Sequence, residues 1–73
     1  MRHEQAKVGS CDFLDVLEEA ALRRSVLEVE LADGTRFSDV LLDVVTEAGR
    51  DWAVFAARAR IDARDIAAVR AVR

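Results

Sequence analysis

The sequence predicts a small α+β domain in which one amphipathic helix precedes a run of antiparallel strands. Three observations carry this. After Cys11, apolar residues recur at helical spacing. From Val26 to Leu31 they alternate strictly with polar ones and end at Asp33-Gly34, the strongest short hairpin signal. Trp52 then opens a third apolar run, after a turn at Ala48-Gly49-Arg50-Asp51.

The chain has 73 residues, enough for one thin core. With 52% hydrophobic and 34% charged residues it has a globular composition. No apolar run reaches the ~18–20 residues of a membrane span, and the first ten residues lack the apolar stretch of a secretory signal. Cys11 is the sole cysteine, so no internal disulfide forms, and a reducing, cytoplasmic location is expected. The formal net charge of −3 is unevenly spread. Residues 1–49 carry five Lys/Arg against eleven acids, whereas residues 50–73 carry six arginines against Asp51, Asp62 and Asp65. The acidic part suits a basic partner, and the basic part keeps an RNA-binding reading open.

Residues 1–10 are polar and aperiodic, and read as a flexible tail. Residues 11–73 form the single domain. A helix is expected over about 12–24, with Asp12 as N-cap and Asp15 reaching back as in a capping box. Phe13, Leu14, Leu17, Ala20 and Ala21 share its apolar face; Asp12, Asp15, Glu18 and Glu19 lie opposite, and Arg23 and Arg24 suit the C-terminal dipole. Leu27, Val29 and Leu31 point inward from the first strand, and both positions of the Asp33-Gly34 turn are expected at positive φ. The second strand runs from Arg36 to about Thr46. Its phase changes near Ser38-Asp39, where a bulge would restore the inward register. Leu17, Leu27, Val29, Leu31, Val40, Leu42, Val54 and Ile66 are the expected core. Residues 59–72 admit two readings. Their Ala/Arg content and the spacing of Ile66, Val69 and Val72 favour a helix. The competing reading is a strand at 59–61, a tight turn at 62–65 and a strand at 66–72.

The stretch from Cys11 to Ala20 resembles the opening motif of the Rho-binding antiterminator (Rof) family, C-D-x-x-D-x-L-E-x-A, at every fixed position: Cys11, Asp12, Asp15, Leu17, Glu18 and Ala20. The strand-turn from Leu27 to Gly34, Asp43 in the second strand and Trp52 at the third fall in register, so the resemblance spans about residues 11–55. It implies a helix packed on a five-stranded Sm-like (SH3-like) antiparallel β-barrel over about 25–73, and hence two C-terminal strands rather than a helix. It also implies a protein-binding inhibitor, not an enzyme, that blocks the primary RNA-binding site of the transcription terminator Rho. Contacts are expected from the acidic helix and from the loop between barrel strands three and four. That loop is short here, with only Ala56, Ala57, Arg58 and Ala59 between Phe55 and Arg60.

The partner-binding residues expected are Asp12, mainly as helix cap, with Asp15, Glu18 and Glu19 as phosphate-mimicking carboxylates and Leu22 as an apolar anchor among them. Acids near a helix N-terminus also serve the dipole alone. Cys11 is expected to pack as a small hydrophobe, and His3 has no partner at metal-ligand spacing. Asp39 and Asp43 admit an acid/base pair but more simply mark exposed strand positions. Trp52 and Phe55 admit base stacking but suit core packing better. No phosphate-loop motif occurs, and no cofactor or metal is expected. The alternative function is a stand-alone Sm-like RNA-binding module using Arg50, Arg58, Arg60 and Arg64.

Overall fold

The computed structural model describes residues 2–72. Strand β1 (Arg2–Glu4) leads into a single turn of helix, α1 (Gln5–Val8), and then the main helix α2 (Ser10–Arg23). Five strands follow: β2 (Val26–Leu31), β3 (Arg36–Glu47), β4 (Arg50–Phe55), β5 (Ile61–Asp62) and β6 (Ile66–Val72), with a 3-10 turn at Ala63–Asp65 before the last. The domain is α+β, with one long helix against an antiparallel sheet of order β1-β6-β2-β3-β4-β5. No helix among the described residues is long and apolar enough to cross a membrane.

The expected closed barrel is corrected to an open six-stranded sheet. The physical reason lies at its two ends. β1 occupies the outer edge of β6, pairing Arg2, His3 and Glu4 with Arg70, Val69 and Ala68. β5 is only two residues long and pairs only with Trp52 and Ala53 of β4. The ends do not meet. Residues 2–4, within the stretch read from sequence as tail, are thus held by a backbone ladder. The Gln5 amide adds bonds to the carbonyls of Ala63 (3.0 Å) and Ile66 (2.6 Å). A segment fixed through its backbone and polar side chains leaves no hydrophobic period to read.

α2 starts at Ser10, two residues before the expected start, so Asp12 sits in the first turn and Gly9 takes the N-cap without a side-chain bond. The expected capping box is therefore absent. Asp12 still favours the helix electrostatically, beside the positive end of the dipole. The apolar face is as expected: Phe13, Leu17, Ala20 and Ala21 are buried, and Leu14 packs against the core from its rim. The helix ends where Arg24 turns into the left-handed region (φ 52°) and its N–H bonds back into the last turn.

Leu27, Val29 and Ile66 join the core as expected, while Leu31 is half-buried at its margin. In β3 and β4 the inward faces differ from expectation. Leu41 is fully buried; Val40 is only half-buried and Leu42 is exposed. Ala53 and Phe55 point inward in place of Val54. The cause is Asp39, which occupies an inward position in an unbroken Phe37–Asp39–Leu41 alternation. The phase change lies further on, where register shifts between Leu41 and Asp43 and leaves Leu42 as the bulged residue.

At Asp33-Gly34 only Gly34 takes positive φ (91°), and Leu31 pairs with Thr35 across a three-residue loop. Both turn residues at positive φ occur instead at Ala48 (54°) and Gly49 (76°), between the paired Glu47 and Arg50. Residues 61–72 form strand, 3-10 turn and strand, not a helix, with the first strand at Ile61–Asp62 in place of the expected 59–61 and the turn at Ala63–Asp65. Tertiary pairing overrides propensity here, because β6 lies between β1 and β2 and contributes the buried Ile66, Ala68 and Val69.

Candidate protein-binding surface

The 3.6-residue period puts Asp12, Asp15, Glu18, Glu19 and Leu22 on the solvent side of α2, and all five are exposed. Glu19 pairs with Arg23 one turn on, at 2.8 Å. Asp12, Asp15 and Glu18 have no ion-pair partner among the described residues. Leu22 stands in the same face at 86% exposure. Beside it lies a surface concavity of about 500 Å³ between α2 and β3, lined by Glu18, Ala21, Leu22, Arg24, Leu42, Asp43 and Val44. Sequence reasoning missed Leu42 and Asp43 as neighbours of the helix face. Nothing local announces that the bulge sits there.

The arginines of the second half are arranged differently. Arg58 lies 3.2 Å from Asp39, and its guanidinium stacks 3.6 Å above the centre of the Phe37 ring. Arg60 makes a two-pronged pair with Glu47 (2.9 and 3.2 Å) and covers Trp52 at 4.4 Å. Arg64 and Arg50 converge on Asp62, at 3.2 and 3.9 Å. Arg70 meets Glu28 at 2.7 Å. Each residue of the expected RNA-binding set, Arg50, Arg58, Arg60 and Arg64, therefore has a carboxylate.

Asp39, like Asp62, is a buried acid of this network. Its carboxylate accepts the backbone N–H groups of Val40 (2.7 Å) and Ala57 (3.1 Å) and the Nε–H of Arg58 (3.2 Å). Desolvation alone would raise its pKa; the two N–H groups and the guanidinium together outweigh it and hold the carboxyl below its ordinary range. Asp62 is lowered chiefly by its bond from the Arg64 side chain, and Glu47 by its bond from Arg60. Asp39 is thus buried rather than exposed, and it clamps the short β4–β5 loop. Asp43 is exposed, accepts the N–H of Val44 at 2.8 Å, and lies near the helix rather than paired with Asp39.

Phe55 packs in the core against Phe37 (5.3 Å, edge-on), but Trp52 is half-exposed under Arg60. Cys11 is exposed rather than packed. No group of three or more potential ligands able to hold a metal occurs among the described residues. Comparisons with protein-family models, with curated proteins and with solved structures found no match.

Proposed function

We propose that this protein acts by being bound: it is an inhibitor of the transcription terminator Rho, active in the cytoplasm, whose α2 face occupies Rho's primary RNA-binding site. Asp15, Glu18 and Glu19 form the binding edge, Leu22 is its apolar anchor, and Asp12 supports the helix N-terminus. One observation carries the reading. On the solvent side of α2, Asp12, Asp15 and Glu18 have no ion-pair partner among the described residues, and Leu22, one turn beyond Glu18, is 86% exposed. A site built to attract phosphates carries lysine and arginine, and such a face offers it charge together with a hydrophobic contact. The resemblance at Cys11–Ala20 supplies the identity of the partner, and the order of one long helix followed by five strands agrees with it.

The stand-alone RNA-binding reading is the less favoured one, because phosphate contacts there would compete with the carboxylates already on Arg50, Arg58, Arg60 and Arg64. The test is titration of purified Rho with the intact protein, in competition with pyrimidine-rich single-stranded RNA. The protein should displace the RNA, bind more weakly as salt rises, and show little RNA affinity of its own. Failure to bind Rho overturns the proposal.

A further inference from the structure

We infer that the binding surface continues from α2 as an apolar strip across one end of the sheet, and that this strip receives aliphatic side chains of a partner segment that also carries lysine or arginine. The inference builds on the acidic-helix reading in sharing Glu18 and Leu22, but it requires only a basic partner, not Rho in particular.

Among the described residues, the exposed large hydrophobic ones are Leu22 (86%), Val26 (41%), Leu42 (37%) and Val72 (36%), and they converge on one place. Val26 is the register partner of Val72 on one side and of Val40 on the other, so the three valines form one row across β6, β2 and β3. Register partners project to the same face, and since the next residue, Leu27, is buried, the row lies on the outer face. Two residues after Val40 stands the bulged Leu42, which lines the concavity together with Leu22. Arg24, at the end of α2, donates from its guanidinium to the carbonyl of Leu42 and fixes the helix end to the bulge.

The rest of the same outer face looks different. Its next rungs carry ion pairs: Arg70–Glu28 at 2.7 Å, Arg2–Glu30 at 2.8 Å and Arg36–Glu30 at 3.4 Å. Single exposed apolar residues are ordinary, but a contiguous set at the end of an otherwise ion-paired face marks an interaction surface.

Charge decides the occupant. Glu18 and Asp43 line the concavity without ion-pair partners among the described residues, and Asp15 lies one helical turn away. The one cation in the lining, Arg24, is turned to the Leu42 carbonyl and is outnumbered by Glu18 and Asp43, so the lining stays net negative. A second copy of this chain would bring these carboxylates against their like, whereas a lysine- or arginine-bearing segment would pair with them.

The test uses the intact chain with two probes, purified Rho and a synthetic peptide of alternating leucine and lysine, and compares wild type with Val26→Thr/Leu42→Ser. Leu42→Ser alone serves if the double variant fails to fold. Amide NMR with the peptide should shift Val26, Val40, Leu42 and Val72, and the variant should bind each probe about fivefold more weakly or worse. If Rho binds wild type and variant alike and the peptide leaves the strip unmoved, the inference falls while the Rho reading stands. If Rho does not bind but the peptide engages the strip and the variant weakens it, the Rho reading falls and the inference stands. If neither probe engages the strip, or its resonances move only with the protein's own concentration, the inference is overturned, in the second case in favour of self-association.

Discussion

Two regions of this chain carry dense charge, and they use it in opposite ways. The α2 face holds Asp12, Asp15, Glu18 and Glu19, and among the described residues only Glu19 has a cation on hand. Residues 50–70 hold five arginines, and every one meets a carboxylate. The difference comes from topology. On a helix, residues three and four apart are neighbours, so a run of acids at that spacing becomes one like-charged face. In a sheet, neighbours come from other strands, so Arg70 finds Glu28, and the loop between β4 and β5 carries Arg60 back to Glu47 at the end of β3. An excess of one charge along a segment therefore becomes a like-charged surface in the first case and a lattice of ion pairs in the second.

The largest effect should come from parting the helix from the sheet. Leu17 is fully buried where α2 meets the core, so Leu17→Ala should cost about 2–5 kcal/mol in denaturant titration. Leu31→Ala, at the margin, should cost distinctly less. Equal losses would mean that α2 is no firmer than a hairpin end.

Next is the clamp of the arginine region. Asp39→Ala should cost about 1–3 kcal/mol, because it leaves the N–H of Ala57 and the Arg58 guanidinium without their acceptor. The folded-state pKa of Asp39 is depressed, so its contribution is present in full above the ordinary carboxylate value and is lost as pH falls through the folded value. Wild type should lose stability as pH drops below about 4, and Asp39→Asn should flatten that slope. An unchanged slope would show that the acid transition belongs to other carboxylates.

A smaller effect should follow Arg60→Ala. Trp52 would lose its guanidinium cover, so its fluorescence should shift while the melting temperature moves by only about 1–3 °C. An unmoved spectrum would mean that Arg60 does not rest on the ring in solution.

These regions were not equally legible in the sequence. The helix face was readable because its geometry is local: period and exposure follow from spacing alone, and all five expected contact residues lie on the solvent side. The inward face of β3 was misread because a buried aspartate breaks the link between hydrophobicity and burial. Asp39 can be inside only because Ala57 and Arg58, eighteen and nineteen residues on, satisfy it. The pairing of Arg50, Arg58, Arg60 and Arg70, the strand at Arg2–Glu4 and the neighbourhood of Leu42 depend likewise on long-range partners, whereas Arg64 meets Asp62 only two residues away. In the C-terminal strands, local propensity pointed to a helix, and only the family resemblance implied the extended reading that residues 61–72 adopt.

The contrast between a free acidic face and an engaged basic one is tested most directly by charge changes in each region, read on one partner. Asp15→Lys/Glu18→Lys and Arg50→Ala/Arg60→Ala should each be titrated against purified Rho beside wild type, with folding checked by thermal melting. The helix reversal should leave the melting temperature within about 3 °C, because exposed charges contribute little to folding. It should weaken Rho binding about thirtyfold or more, since attraction to a basic site becomes repulsion. The arginine removals should change binding by less than about threefold. If instead the helix reversal binds Rho as well as wild type while the arginine removals abolish binding, the acidic-helix account is contradicted.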